Sequence, residues 1–226
     1  MNLCFTWNIP DGGEELCVGF DHGRAVRLLV LPAWFDEANK LRRFTVEVMR
    51  RLDAAGIDSL LPDLPGCNES LVPLRDQTLA GWRAAAEAAA QALGATHVLA
   101  IRAGALLAPE GLPGWHYAAQ GGPALLRAML RARTIAAREA GKAETSEALA
   151  TLGRNEGLVL AGWHLGAAMV AALETAEPVL APGQSAIPQS ALRAPGLWLR
   201  AEPGEDPAQA DRLAALIAEN LADSAR

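Results

Sequence analysis

Three short apolar runs, two of them followed by helix-periodic segments, constrain this chain more than any other feature. Arg27–Leu31 (RLLVL) precedes an amphipathic stretch from about Glu37 to Ala55. Ile57–Leu61 (IDSLL) precedes, after a loop, a helical stretch from about Gln77 to Leu93, and His97–Ile101 (HVLAI) is the third run. Runs that are apolar at consecutive positions suit strands covered on both faces. A strand–helix–strand order predicts parallel pairing, with the helices as covers. Ahead of them, Leu3–Trp7 and Leu16–Phe20 flank the turn cluster Pro10-Asp11-Gly12-Gly13, the pattern of an antiparallel hairpin. The expected fold class is α/β, a three-layer sandwich with a mostly parallel sheet and an antiparallel N-terminal hairpin.

The second half is less regular. Gly111–Ala118 reads as a strand, Pro123–Ala140 as a helix, and Thr145–Leu152 as another after a turn at Gly141. Gly157–Ala161 is a short strand candidate and Leu165–Leu173 a helix. Gln184–Ala194 reads as a polar, Pro-flanked loop, Leu197–Ala201 (LWLRA) as the last strand, and Pro207–Leu221 as a terminal helix. With 226 residues, no internal repeat and no linker, the chain reads as a single domain, 1–226, in which 119–155 is a candidate helical insertion or partial cap.

Bulk properties exclude several functions. A net charge of −6 argues against nucleic acid, and the basic residues at Arg42-Arg43, Arg50-Arg51 and Arg127 to Arg138 have the spacing of solvated helix faces. Cys4, Cys17 and Cys67 lack metal-type spacing, and an odd count completes no disulfide framework. His22, His97, His116 and His164 are scattered, so no metal and no cofactor is expected; His97 begins a buried run and reads as structural. The start of the chain lacks a signal-peptide pattern, and no apolar run approaches the ~18–20 residues that span a bilayer. The expectation is a cytoplasmic protein without a membrane span.

The third apolar run leads into Arg102-Ala103-Gly104-Ala105, a small-residue turn. In an α/β-hydrolase this strand-to-turn junction carries the G-x-S-x-G nucleophile elbow. Here the first glycine is Ala100, the last is Gly104, and the nucleophile position is Arg102. A guanidinium has no nucleophilic lone pair at any accessible pH.

Four segments together resemble the exosortase A system-associated hydrolases, type 2, a bacterial branch of the α/β-hydrolase superfamily. They are Trp34-Phe35-Asp36-Glu37-Ala38-Asn39-Lys40-Leu41-Arg42-Arg43, similar to an aromatic–acid–acid–x–N-K-x-R-R stretch; Asp63-Leu64-Pro65-Gly66-Cys67-Asn68-Glu69-Ser70, similar to a D-L-x-G-C-G-D-S loop; the R-x-G-A elbow at Arg102; and Leu160-Ala161-Gly162-Trp163-His164-Leu165, similar to a V-A-G-Y-x-L segment that opens a helix. The resemblance implies an α/β-hydrolase-type sheet and a role beside exopolysaccharide and protein-sorting genes, without a demonstrated reaction. Asn68 departs from the pattern at the loop's second glycine. The segment after the elbow is short, with Pro109, Gly111 and Pro113 close behind, so the usual long helix there would be about two turns or rebuilt.

A serine hydrolase needs a nucleophile on the elbow, a late histidine and an orienting acid. The first is missing, and no histidine follows His164. Cys67, on a loop at the sheet's functional edge, is the candidate replacement nucleophile; a thiolate near Arg102 would have a lowered pKa, and the plainer reading is a small loop hydrophobe. Arg102, at a helix N-terminus, is a candidate anion site for a carboxylate or phosphate, alongside Asp36, Glu37 and Trp34. The competing reading pairs Arg102 internally with Asp36 or Glu37, filling the old oxyanion pocket, and is favoured because a buried arginine without a partner is costly. Trp34 is placed to line a pocket, whereas the other tryptophans read as core. The preferred function is a non-catalytic accessory or binding protein of an exosortase/exopolysaccharide system, taking a small anionic or acyl ligand. The alternative is an ester or thioester hydrolase using a non-standard nucleophile such as Cys67.

Overall fold

A computed structural model describes residues 2–9 and 12–224. Pro10 and Asp11 of the expected hairpin turn lie outside the described residues; Gly12 and Gly13 both have positive φ, as that turn requires. The strands are β1 (Asn2–Asn8), β2 (Glu14–Phe20), β3 (Arg27–Leu31), β4 (Asp58–Pro62), β5 (His97–Ile101), β6 (Gly114–Tyr117), β7 (Leu158–Leu160), β8 (Trp163–Leu165) and β9 (Gln184–Ile187). The helices are α1 (Phe35–Ala54), α2 (Leu79–Ala92), α3 (Gly122–Glu139), α4 (Ser146–Glu156), α5 (Ala167–Leu173) and α6 (Pro207–Ser224).

Seven strands form one sheet in the order β1-β2-β4-β3-β5-β6-β9. The β1–β2 and β2–β4 pairs are antiparallel, and all others are parallel. Side chains of the central strands alternate between two cores, as a period of two demands. Leu28 and Val30 of β3 and Leu99 and Ile101 of β5 enter one core with Phe44, Val48 and Leu52 of α1 and Leu213 and Ile217 of α6. Leu29, Leu31, Val98 and Ala100 enter the other, with Trp82, Ala86 and Ala89 of α2, Leu126 of α3 and Met169 of α5. Burial on both faces explains why β3 and β5 are apolar at four consecutive positions.

Three local expectations are corrected. Gln184–Ala194 is not wholly loop: Gln184–Ile187 forms β9, paired in parallel with β6. Its polarity reflects its edge position, where Ser185 and Ala186 stay exposed. Leu197–Ala201 is not a strand but contains a 3-10 turn, Leu197–Leu199. A strand would put Leu197 and Leu199 on one face, yet Leu197 is buried and Leu199 is 74% exposed. The Leu160–Leu165 segment does not open a helix directly; Leu160 pairs with Trp163 in the β7–β8 hairpin. Ala161 and Gly162 both have positive φ, which a two-residue hairpin turn of the primed type needs.

The crossover from β5 to β6 is also rebuilt. A 3-10 segment, Arg102–Leu107, replaces the long helix, and Pro109 and Pro113 stiffen the return. Among the described residues, no helix is long and apolar enough to cross a membrane.

Candidate functional site

The turn after β5 is strained and closely packed. Arg102 follows β5 directly and has φ 55, a left-handed conformation that costs a non-glycine residue about 1–3 kcal/mol. Two residues on, Gly104 lies against the strand edge: a Cβ there would stand 2.5 Å from the Leu31 carbonyl oxygen and 2.6 Å from that of Pro32. No other residue type fits so close an approach.

The Arg102 side chain is held on three sides. Its Nε and Nη2 donate to Glu37 Oε2 at 2.8 Å and Oε1 at 3.0 Å, a two-point ion pair. Nη1 donates to the Ala118 carbonyl at 2.7 Å, and the guanidinium carbon lies 4.0 Å from the centre of the Trp198 ring. The two charged side chains are only 11% and 16% exposed. Gln120 closes the ring: its N–H donates to the Arg102 carbonyl, and its side chain lies 3.4 Å from Glu37 Oε1. This geometry explains how a strained arginine is tolerated at the elbow.

Of the two candidate acids, the structure brings Glu37 to Arg102 and leaves Asp36 outside. Asp36 pairs instead with Lys40 one turn along α1, at 2.8 Å, and is 64% exposed. Trp198, Ala118 and Gln120 were not legible as partners of Arg102. Trp198 sits on a segment with an apparent strand pattern, and no sequence pattern marks a carbonyl acceptor.

Trp34, Phe35 and Cys67 meet elsewhere, at a cavity of about 230 Å³ that Arg102 does not line. Trp34 and Phe35 join Trp82 and Trp163 in an aromatic cluster, with ring centroids 4.9 Å apart for Trp34–Trp82 and 5.5 Å for Phe35–Trp163. Phe35 has φ 56, an outlier for a bulky residue, and this bend turns the chain from β3 into α1.

Cys67 is part of the loop after β4. Burial and the nearby Asp63 and Glu15 carboxyls push its thiol up to about 12. The lowered pKa expected beside Arg102 is therefore absent, and the thiolate is scarce at neutral pH. Asn68 has φ 48, which asparagine tolerates far better than most residues. Its side chain donates to Asp63 Oδ1 at 2.6 Å. Ser70 donates to Glu15 Oε1 at 2.6 Å and accepts from the Gly66 N–H, so it pins the loop. Burial raises the pKa of both Glu15 and Asp63.

Among the described residues, no histidine hydrogen-bonds Arg102 or Glu37. His116, on β6, is 1% exposed, and burial lowers its pKa. His97 lies at the opposite end of β5, stacked on Trp115 with centroids 6.0 Å apart. Among the described residues, no group of three or more His, Cys, Asp or Glu side chains is arranged to hold a metal ion.

Sheet order, the strained turn after β5 and the close glycine together define an α/β-hydrolase-like fold with arginine at the turn after β5. Among solved structures, the chain is similar to the alpha/beta hydrolase domain-containing protein 10 from mouse, with a TM-score of 0.60 and 12% identity over 99% of this chain and 100% of that one. An epoxide hydrolase from Vigna radiata (TM-score 0.43, 17% identity, 51% of this chain) and an esterase from Pyrococcus furiosus (0.45, 13%, 62%) are also similar. The chain spans only 39% and 56% of the length of these last two. At such identities the likeness is one of fold alone. No family model and no curated protein matches the sequence.

Proposed function

We propose that this chain is a non-hydrolytic α/β-hydrolase-like protein, acting as a binding or accessory component of an exosortase/exopolysaccharide system in a bacterial cytoplasm. One observation carries the non-hydrolytic part: the nucleophile position holds Arg102, paired at two points with Glu37 and covered by Trp198. A water or an acyl carbonyl approaching that turn meets an ion pair, not a nucleophile. The system assignment rests on the Trp34–Arg43 and Asp63–Ser70 segments and the R-x-G-A elbow. The binding role rests on the separate cavity lined by Trp34, to which Arg102, Glu37 and Asp36 contribute no wall. Hydrolysis by Cys67 has against it a thiol raised to about 12.

The test is a screen of short-chain acyl esters and thioesters with wild type, Arg102→Ala and Cys67→Ala. The expected result is background turnover in all three. Turnover by wild type that disappears in Cys67→Ala would replace this reading with the thiol hydrolase.

A further inference from the structure

A groove of about 530 Å³ opens where α2, the 3-10 segment after β5 and the strap 177–182 meet. Leu106 and Leu107 form an apolar floor, and Val179 and Leu180 on the strap are 75% and 48% exposed. The rim is acidic. Glu87 of α2, Glu110 and Glu177 are exposed, and none has an ion pair or hydrogen bond among the described residues. Arg83 also lines the groove, with its Nε donating to the Leu106 carbonyl at 2.9 Å, so three carboxylates face one guanidinium. An apolar centre inside a charged rim is the anatomy of a protein interface, and this rim calls for a cationic, partly apolar partner. Nucleic acids and anionic membranes carry the wrong sign.

The chain itself displays a matching surface. On α3, Arg127, Arg131, Ile135 and Arg138 recur at the spacing of one helical face, turned away from the buried Leu126 and Met129. All four are exposed, Ile135 by 50%. The three guanidinium groups have no ion pair or hydrogen bond among the described residues. Arg127 and Arg131, four residues apart, repel each other until a partner neutralises them. Glu139 ends the helix at the margin of this stripe, whose arginines span about 17 Å along the axis.

We propose that two copies of this chain associate, the basic face of α3 of one copy docking on the acidic groove of the other. Its arginines meet the three glutamates, and Ile135 meets Val179 and Leu180. The two surfaces are neighbours, since the Glu177 carboxylate lies so close over Gly121 at the start of α3 that a Cβ there would clash with it. The helix also packs against the 3-10 segment that floors the groove. Adjacent surfaces of opposite sign suit a two-fold dimer, in which each copy both gives α3 and receives it. The proposal is independent of the binding role above, because none of these residues lines the cavity beside Trp34.

The test is sedimentation velocity of the full chain from about 5 to 200 μM, at low salt and at about 0.5 M salt. Wild type is expected to pass from monomer to dimer over this range, and high salt to weaken the dimer at least about five-fold. A helix variant, Arg127→Glu with Arg131→Glu, and a groove variant, Glu87→Arg with Glu110→Arg, should each lose at least about ten-fold in affinity. Mixed in equal amounts, the two should form a heterodimer within about three-fold of wild-type affinity, since each reversed surface then meets its complement. All four positions are exposed, and thermal unfolding checks that both variants are folded. A wild type that stays monomeric at about 200 μM overturns the proposal, even if a basic segment of another protein fills the groove. So does a dimer that neither variant weakens, or a mixture of the two that stays monomeric.

Discussion

Arg102 and Glu37 face each other across the elbow as a two-point ion pair, with N–O distances of 2.8 and 3.0 Å. The pair joins the turn after β5 to the first turn of α1, segments 65 residues apart in sequence. It also places a cation where a hydrolase of this fold presents its nucleophile.

Removing one partner of this pair leaves the other charge poorly solvated. Glu37→Gln is expected to destabilise the fold by about 2–3 kcal/mol in urea unfolding, below the full range for buried pairs because both side chains retain some exposure. Arg102→Lys is expected to recover little, since an ammonium cannot span both carboxylate oxygens and the Ala118 carbonyl together. Equal stability of Glu37→Gln and wild type would show that the pair does not hold the elbow.

Gly104→Ala tests the closeness of the turn to β3. The added Cβ would lie 2.5 Å from a backbone oxygen, so the turn must move. A loss of at least about 2 kcal/mol is expected from thermal or urea unfolding. A neutral substitution would mean that the turn and strand are further apart.

The three cysteines are expected to differ in reactivity. Cys4 is exposed, Cys17 is buried and Cys67 is half-buried, and both of the latter thiols are raised to about 12. A rise of about three units lowers the thiolate fraction near pH 8 by roughly a thousand-fold. Timed iodoacetamide labelling read by peptide mass spectrometry should modify Cys4 first and leave Cys67 unmodified until the protein unfolds. Fast labelling of Cys67 would revive it as a nucleophile.

At the far end of the sheet, Arg27 holds Asp21 at two points and pulls its pKa down to about 2. The folded pKa lies below the unfolded one near 3.8, so this contribution is present above pH 4 and is lost as pH falls from about 4 to 2. At a quarter-exposed site the effect is about 1 kcal/mol. Asp21→Asn should remove it, giving a flatter stability profile over that interval. An unchanged profile would show that Asp21 does not titrate with folding.

The sheet was legible because strands buried on both faces need apolar residues at consecutive positions, as the last four residues of RLLVL and of HVLAI are. Amphipathic spacing likewise marked α1, α2, α3 and α6. The edge strand β9 was not legible, since one strand neighbour and open solvent leave Gln184 and Ser185 free to be polar. Within the site, arginine at the elbow could be read directly, and a carboxylate partner followed from the cost of burying it alone. Which acid was not readable. Asp36 and Glu37 are adjacent in the first turn of α1, and a difference of one residue separates the partner of Arg102 from that of Lys40. The contact between Trp198 and Arg102 depends on a chain reversal in a stretch whose composition resembles a strand.

If Arg102 leaves the turn after β5 without a nucleophile, no side chain of this protein takes up an acyl group. Intact-mass spectrometry after incubation with a short-chain acyl thioester, followed by rapid acid quench, reads such a transfer. An unchanged mass for wild type is expected at every time point. A mass increase of one acyl group, mapped by peptide digestion to Cys67 or any other side chain, would contradict it.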